Sequence, residues 1–373
     1  MNFDITTPEF KAYLEAVGEN FGFTDKIEEI RRFSSGHINE TLYVRYENGC
    51  EYVFQQVNTY VFKQPDQVMS NIVAVTGHIR RKYQEAGIDC SRLVLNFKQA
   101  KDGKYSFTDK DGHFWRAYDF IGDSSTYTVV EDTQLLVGAG AALGEFQKQL
   151  DDFPVETLYE TIKDFHNTPK RFADMKEALA KDEVGRAKSV EKELEYFKFW
   201  DEKVSRLMDL NKEGKLPLRV THNDTKFNNV LIDDETKGPL SIIDLDTVMP
   251  GFSVVDFGDA IRTAAATAEE DVADVSKMGV DIERFEAFTK GFIGKNAGFF
   301  TQTEVDNMVW GAIIATVELA ARFFADYLAG DKYFKIGYPE HNLVRTRAQM
   351  KLSMDMYEKY DVLNAIVQKH NAK

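Results

Sequence analysis

The chain has 373 residues, of which 43% are hydrophobic and 29% are charged, and its formal net charge is −15. This length exceeds one small core, so the composition favours an ordinary soluble globular protein with two lobes. The acidic balance excludes generic nucleic-acid binding, which needs clustered Lys and Arg, but it allows a nucleotide held through metal ions.

The two cysteines, Cys50 and Cys90, do not have the spacing of metal ligands. We expect free thiols in a reducing cytoplasm, and a disulfide between them is the alternative. The segment from Met1 to Phe21 carries acids among its apolar residues and has no basic region before an apolar run. It therefore lacks the pattern of a secretory signal.

Residues 1–121 are predicted to form a β-rich N-terminal lobe with one long helix. Apolar periodicity and the turn signals Asn48-Gly49 and Asp111-Gly112 indicate this organisation. The predicted elements are helices at Pro8 to Phe21 and Asp66 to Ala86, and strands at Arg92 to Asn96, Tyr105 to Thr108 and His113 to Ile121.

Residues 122–128 are polar and lack periodicity, which is typical of a hinge. Residues 129–373 are predicted to form a larger, mainly helical lobe. In its first helix, Gly138, Gly140 and Gly144 would allow close contact with another helix. The predicted helices are Gln134 to Leu150, Pro169 to Asp201, Val255 to Ala268, Asp281 to Gly294, Val309 to Leu328, and Leu343 to Gln368, the last with or without a break.

The helix over Val309 to Leu328 is the most apolar of these, and its length is that of a membrane span. However, Glu318, Arg322 and Asp326 interrupt its apolar sequence. We therefore expect a buried core helix and no association with a membrane.

The strongest chemical pattern lies at residues 218–246. Two hydrophobic strands flank a polar loop of the form H-x-D-x-x-x-x-N, which contains His222, Asp224 and Asn229. A short turn leads to a third strand, which ends in IIDLD and includes Asp244. An aspartate that orients a hydroxyl, an asparagine that holds a metal, and a second aspartate on a neighbouring strand form the catalytic set of an ATP-dependent kinase.

Each of these residues has an expected role in phosphoryl transfer. Asp224 would accept a hydrogen bond from the acceptor hydroxyl and take its proton late in the reaction. Asn229 and Asp244 would bind Mg²⁺, which prefers hard oxygen ligands. Lys226 would reach the transferred phosphoryl group, and His222 would brace the loop. The alternative is that Asp224 and Asn229 only cap turns.

The N-terminal lobe contains the expected nucleotide contacts. A bend with the sequence SSGH, at residues 34–37, lies between two strand-like runs. Ser35 and Gly36 would cover the ATP phosphates, although an ordinary hairpin turn is the alternative. The adenine should lie against the hinge, where the backbone of Tyr118, Phe120 and Ile121 would supply hydrogen bonds.

Several stretches resemble the N-acetylhexosamine 1-kinases, within the aminoglycoside phosphotransferase and choline kinase superfamily of protein-kinase-like folds. They are SSGHINETLYV, YVFQQVNTYVF, RVTHNDTKFNN, IIDLDTVMPG, VVDFGDAIR, ARFFADYLAGDKYF and YPEHNLVRTRAQMKL. The resemblance covers the chain from Ile27 to Tyr357. It implies an α+β fold with an antiparallel N-terminal lobe and a larger helical C-terminal lobe. It also implies transfer of the ATP γ-phosphoryl group to the anomeric hydroxyl of GlcNAc or GalNAc.

The resemblance assigns further residues to the sugar side of the cleft. His37 matches a residue that borders the sugar, and Arg322 and Tyr333 match positions on the substrate side. An ion pair between Arg322 and Glu318, one helical turn apart, is the alternative for the arginine, and ordinary packing is the alternative for Tyr333. Thr263 stands where the family tends to carry a larger residue, which bears on selectivity.

Asp256 and Asp259 follow the motif within the sequence VDFGD. We expect these acids to begin a helix and brace the loop, and direct catalysis is the alternative.

The sequence departs from the general kinase pattern in its third strand. Gln55 stands where a kinase carries the lysine for the α- and β-phosphates, and Asn71 matches the helix position of its glutamate partner. A glutamine is neutral and only donates amide hydrogen bonds to a phosphate. Neutralisation of the phosphates then depends on Mg²⁺, Lys226 and Lys63. The N-acetylhexosamine 1-kinases also lack this lysine.

Two alternatives remain open from the sequence. One is a related kinase of another sugar, an amino alcohol or an aminoglycoside. The other is a catalytically inactive, kinase-like binding protein, although such a protein has no need of the complete catalytic set. No obligate protein partner is indicated.

Overall fold

A computed structural model of the protein describes residues 4–33, 38–127, 130 and 132–372. It confirms the α+β fold, with an antiparallel sheet in the N-terminal lobe and a larger helical C-terminal lobe. The helices are α1 (Pro8–Asn20), α2 (Pro65–Glu85), α3 (Thr133–Gln149), α4 (Thr168–Lys181), α5 (Glu191–Trp200), α6 (Arg206–Lys212), α7 (Ser253–Ala264), α8 (Ile282–Phe292), α9 (Gln302–Asp306), α10 (Met308–Leu328), α11 (His341–Glu358) and α12 (Tyr360–Asn371). The strands are β1 (Ile27–Arg32), β2 (Glu40–Tyr46), β3 (Glu51–Val57), β4 (Phe107–Thr108), β5 (Phe114–Asp119), β6 (Ser124–Ser125), β7 (Arg219–Thr221), β8 (Val230–Asp233), β9 (Pro239–Ile242) and β10 (Met249–Gly251).

The sheet of the N-terminal lobe has the strand order β1-β2-β3-β5-β4, with antiparallel pairs throughout. Side chains alternate between its two faces, as the pleat requires. On one face Phe54 packs with Leu14 of α1. On the other face Val53 and Val57 join the main hydrophobic core, which continues into the C-terminal lobe. The alternation places Gln55 on this second face.

Helix α10 lies at the centre of the C-terminal lobe, where α4, α7 and α11 pack against it. Within the described residues, the segment Gln302–Leu328 is long and apolar enough to cross a membrane, but 78% of its most apolar window is buried inside the protein. This burial agrees with the expected core helix.

Three predicted elements differ in the structure. Residues 92–96 form no strand, because the chain turns there and the N–H groups of Leu93 and Val94 donate to the Cys90 carbonyl oxygen. The Arg92 side chain donates to Asp233 and to the Gly122 carbonyl oxygen. The strand predicted from Tyr105 is confined to β4. The predicted helix over residues 169–201 is two helices, since Asp182 adopts a left-handed conformation at the end of α4.

The segment predicted as a hinge contains the short strand β6, which pairs with β8 of the C-terminal lobe. The long helix predicted at the C-terminal end is broken at Lys359, where α11 ends and α12 begins. The predicted limits of the two lobes and the hinge stay predictions.

The contact between α3 and α8 depends on glycines, as the sequence predicted. A Cβ atom at Gly140 would lie 2.4 Å from the Phe288 carbonyl oxygen, and one at Gly291 would lie 2.0 Å from that of Val137. Such distances are shorter than any ordinary contact, so the two backbones approach too closely for a side chain. Gly138 differs, because it meets the ring of Pro239 instead.

We expect Gly140→Ala to destabilise the protein by about 1–3 kcal/mol, because the added methyl group overpacks this contact. Gly77→Ala is the matched control. Gly77 lies inside α2, where an added Cβ would meet no described atom within 4 Å, so the change should stabilise by about 0.5–1 kcal/mol. Urea unfolding of both variants measures the difference, and equal stabilities would contradict the packing argument.

Candidate active site

One cavity of about 430 Å³ lies between the sheet of the N-terminal lobe and the loop that joins β7 to β8. It is lined by most of the residues that the sequence assigned to nucleotide binding and catalysis: Gln55, Tyr118, Phe120, Ile121, Asp224, Lys226, Asn229 and Asp244. The predicted bend residues Ser35, Gly36 and His37 lie outside the described residues.

Two acidic residues of α7 bind the backbone of the loop that carries Asp224. Both oxygens of the buried Asp256 carboxylate accept hydrogen bonds, one from the His222 N–H and one from the Asn223 N–H, each at 2.8 Å. Asp259 accepts a bond from the Thr225 N–H at 3.0 Å. These bonds have the form of the expected bracing, because both acids accept from the backbone of the loop, and the second oxygen of Asp259 pairs with Arg262.

His222 also has the contacts of a bracing residue. Its Nε2 lies 2.9 Å from the Ile243 carbonyl oxygen, and its Nδ1 accepts from the Asp224 N–H at 3.3 Å. This pattern places the ring proton on Nε2. His222 therefore connects the loop to the end of β9, just before Asp244.

Asn229 and Asp244 have the donors that a hard divalent cation needs. The Asn229 Nδ2 donates to the Asp224 carbonyl oxygen at 2.8 Å, which leaves the amide oxygen for another partner. Burial, followed by the charges of Asp246 and Asp224, raises the pKa of Asp244 to about 6. Carboxylates crowded in this way favour a bound cation, and oxygen ligands suit Mg²⁺.

Asp224 and Lys226 form an ion pair at the mouth of the loop, with 3.0 Å between Lys226 Nζ and Asp224 Oδ1. Burial disfavours the charge of Lys226, but Asp224 and Asp259 outweigh it and raise the pKa of the lysine. Lys226 therefore keeps its charge over the physiological range. It is available to neutralise a phosphoryl group beside Asp224.

The side of the cavity next to the predicted hinge is lined by the apolar residues Phe120 and Ile121, whose backbone groups are the expected adenine contacts. Phe120 packs edge-on against Tyr43, and its N–H donates to the Glu51 carbonyl oxygen. Among the bonds of the described residues, the Ile121 N–H has no partner. Phe120 and Ile121 both line the cavity, so this N–H is available to a planar base that binds there.

Two residues of the network around Gln55 do not follow from the motifs. Arg116 on β5 is 1% exposed, donates to the Gln55 Oε1 at 2.9 Å and pairs with Asp246. Asn39 donates to the second oxygen of Asp246 at 2.6 Å. A charged residue inside the apolar run FWRAYDF was the available signal, since a buried arginine requires a partner.

Two other residues considered for phosphate binding have different surroundings. Asn71 lies on α2 as expected, and its amide bonds to the backbone of Tyr159 and Val248 and ties α2 to the C-terminal lobe. Lys63 is exposed and does not line the cavity.

Arg322 and Tyr333 lie outside this cavity, on a neighbouring surface of the C-terminal lobe. Arg322 is half-buried, with its guanidinium 5.6 Å from the ring centres of both Phe165 and Phe334. Tyr333 is 71% exposed and contacts Phe334 edge-on at 4.8 Å. The rings of Phe165 and Phe334 thus bring Arg322 and Tyr333 into one cluster.

His166 links this cluster to the loop, and the sequence did not indicate it. Its Nε2 lies 3.1 Å from the Asn223 carbonyl oxygen, and its Nδ1 lies 3.0 Å from Glu318 of α10. Glu318 also accepts from Thr168, so His166 and Thr168, rather than Arg322, are its hydrogen-bond partners. His166 therefore connects Asn223, the residue before Asp224, to Glu318 of α10.

The chain is similar to known proteins in sequence and in fold. A family model described as "Phosphotransferase enzyme family" matches residues 29–286. Among solved structures, the microcompartment-associated aminopropanol kinase has a TM-score of 0.65 and 12% identity, over 95% of this chain and 98% of that chain. An ethanolamine kinase from Plasmodium vivax has a TM-score of 0.56 and 13% identity, over 86% and 82%.

An amicoumacin kinase in complex with AMP-PNP and Ca²⁺ has a TM-score of 0.56 and 14% identity, over 87% of this chain and 88% of that chain. At these identities the structures share the fold with this chain.

We expect His166→Gln to flatten the pH dependence of stability. Burial opposes the charge of His166, but Glu318 outweighs it and raises the pKa of the imidazole above its ordinary 6.5. The bond to Glu318 then stabilises the folded state fully below that ordinary value, and it is lost as the pH rises through the folded-state pKa.

Urea unfolding at about pH 6, 7.5 and 9 measures this effect. The wild-type free energy of unfolding should fall more steeply with rising pH than that of His166→Gln. Glu318→Gln should flatten the curve in the same way, since it removes the charge that raises the pKa. Parallel curves for wild type and both variants would contradict the assignment.

Proposed function

Because the chain belongs to the phosphotransferase enzyme family, we propose that it is an ATP-dependent kinase of an N-acetylhexosamine. It transfers the γ-phosphoryl group to the anomeric hydroxyl of GlcNAc or GalNAc and produces the sugar 1-phosphate. The observation that carries the kinase assignment is the presence of Asp224, Asn229 and Asp244 in the lining of one cavity that also contains the hinge.

In this proposal the protein positions groups and balances charge, since phosphoryl transfer needs little covalent chemistry from the enzyme. Asp224 holds the acceptor hydroxyl and takes its proton late. Lys226 moves from its ion pair with Asp224 toward the transferred phosphoryl oxygens. Asn229 and Asp244 would hold Mg²⁺, which neutralises charge on the phosphates when bound. The related amicoumacin kinase holds AMP-PNP and Ca²⁺, which supports a nucleotide and a divalent cation here.

The acceptor is proposed to bind near Arg322 and Tyr333, with His37 as a further contact. The His166 contacts support this location, because they join Asn223, beside the base, to the helix of Arg322. The loop of Tyr333 is rigid, since Asp326 accepts hydrogen bonds from the N–H groups of Lys332, Tyr333 and Phe334. An exposed aromatic ring on a rigid loop suits the apolar face of a sugar.

The charge of Arg322 favours a neutral acceptor. A guanidinium donates to hydroxyl and carbonyl oxygens, whereas it repels a quaternary ammonium or an aminoglycoside. The second candidate is an amino alcohol, because the rings of Phe165, Phe334 and Tyr333 would also attract a cation. Thr263, on α7, bears on the choice between sugars rather than on activity.

We also propose that the protein acts in the cytoplasm and needs no partner besides ATP and the acceptor. Cys50 and Cys90 are both free thiols, which suits a reducing compartment.

A coupled assay of ADP release with Mg-ATP tests the proposed function. The acceptors are GlcNAc, GalNAc, glucose, galactose, choline, ethanolamine, aminopropanol and kanamycin. We expect the highest kcat/KM with an N-acetylhexosamine and an alkali-stable, acid-labile product phosphate at C1. A higher kcat/KM with an amino alcohol or kanamycin would contradict the sugar assignment and indicate a kinase of cationic acceptors. No ADP release above background with any acceptor would contradict the kinase function.

We expect Asp224→Asn to lower kcat by about 10²–10⁴-fold, because the base is lost while the shape is kept. Mg-ATP binding, measured by calorimetry, should stay near the wild-type value. Loss of nucleotide binding in step with kcat would show that Asp224 serves the metal site and is not the base.

We expect Arg322→Met to raise the acceptor KM by about ten- to a hundredfold through loss of a charged hydrogen-bond donor. The KM for ATP should not change. Arg347→Met is the matched control, since Arg347 pairs with Glu193 away from the cluster. An equal rise in both KM values, or an unchanged acceptor KM, would place Arg322 outside the acceptor site.

A further inference from the structure

Arg116 and Gln55 are direct cross-strand partners. The register of β3 and β5 pairs Gln55 with Arg116, and both lie on the sheet face that meets the C-terminal lobe. Arg116 is 1% exposed, so its charge is removed from water at a considerable cost in free energy. A buried arginine therefore needs polar partners that offset this cost.

The Arg116 guanidinium bonds to one residue of its own sheet and to one residue of the C-terminal lobe. Its Nε donates to the Gln55 Oε1 at 2.9 Å, and its Nη1 pairs with the Asp246 Oδ1. The other carboxylate oxygen of Asp246 accepts from the Asn39 Nδ2 at 2.6 Å. Asp244 and Asp246 both line the cavity. Both oxygens of Asp246 are engaged by the N-terminal lobe, whereas among the bonds of the described residues none engages the Asp244 carboxylate.

The bond from Arg116 determines which way the Gln55 amide points. An arginine has no acceptor, so the amide oxygen must be the atom that faces it. The amide nitrogen then lies on the other side, where it donates to the Thr41 Oγ1 at 3.1 Å. Since an amide nitrogen carries two hydrogens, one N–H remains for a ligand. Gln55 and Thr41 both line the cavity that contains Asp244.

We propose that Gln55, Arg116 and Asp246 together replace a lysine-based phosphate site. Arg116 is a positioning residue: it turns the Gln55 N–H group toward the triphosphate of the nucleotide and holds Asp246 away from the metal. Phosphate oxygens only accept hydrogen bonds, so the reversed amide would repel them. This inference rests on the proposed nucleotide-dependent function.

Gln55→Glu tests the direction of the amide with little change in shape. A carboxylate keeps the bond to Arg116 and strengthens it, so the fold should be retained. However, it presents an acceptor and a negative charge to the phosphates. We expect Mg-ATP to bind at least about tenfold more weakly, with the thermal midpoint unchanged or higher and the acceptor KM unchanged. Gln56→Glu is the control, because the pleat directs Gln56 to the opposite face.

The double variant Arg116→Met with Gln55→Lys tests the replacement itself. Arg116→Met alone should weaken Mg-ATP binding by at least about tenfold, since the amide is released and Asp246 loses its cation. Adding Gln55→Lys returns a cation that reaches both Asp246 and the phosphates. We expect the double variant to bind Mg-ATP within about threefold of wild type. Such a recovery would show that the weaker binding of Arg116→Met is caused by the lost charge and not by disturbed packing.

Calorimetric titration with Mg-ATP separates failure of this inference from failure of the proposed function. Wild-type protein that binds no Mg-ATP would overturn the nucleotide-dependent function. Wild-type binding with equal affinity in Gln55→Glu would overturn the role of the Gln55 N–H. A double variant that binds Mg-ATP no better than Arg116→Met would overturn the replacement of the lysine. If Arg116→Met does not fold, the comparison of Gln55→Glu with Gln56→Glu still tests the role of the Gln55 N–H.

Discussion

The buried carboxylate of Asp256 is the contact on which the geometry of the candidate site depends. It accepts bonds from two successive backbone N–H groups, those of His222 and Asn223, and from the side chain of Gln147 on α3. Burial raises the pKa of this carboxyl, and the three donors offset the cost of removing it from water. Asn223 is held with φ at 64°, a conformation that asparagine tolerates. Asp224 follows directly from this constrained residue.

The loop is thereby attached to the helical core rather than to the sheet of the N-terminal lobe. Asp256 and Asp259 attach it to α7, and His166 attaches it to Glu318 of α10. Polar contacts therefore connect the packed helices of the C-terminal lobe to the backbone that positions Asp224. The contacts α3–α8 and α7–α10 use glycines at close backbone approaches, which stiffens this frame.

The N-terminal lobe meets the acidic turn through few polar contacts, and these are specific. Arg116 and Asn39 bind the two oxygens of Asp246, and Asn71 binds the backbone of Val248 a short distance along the chain. The acids of the IIDLD segment consequently have different surroundings. Asp246 is neutralised by a buried arginine, whereas Asp244 is buried beside the negative charges of Asp246 and Asp224. An N-terminal lobe without a third-strand lysine thus still contacts the acidic turn through a buried charge, that of Arg116.

The α+β fold, the long helices and the group of Asp224, Asn229 and Asp244 could be predicted from the sequence, because they depend on local periodicity and on one short hairpin. Even the close helix contact at Gly140 was visible in the composition of a single helix. The roles of Arg116, Asn39 and His166 could not be predicted, since their partners are distant in the chain; Asn39 and Asp246 are 207 residues apart. Only the pairing of β3 with β5 and the packing of the lobes determine which buried charges meet. The strand expected at residues 92–96 is a turn in the structure, and Arg92 pairs there with Asp233, which is 141 residues further along the chain.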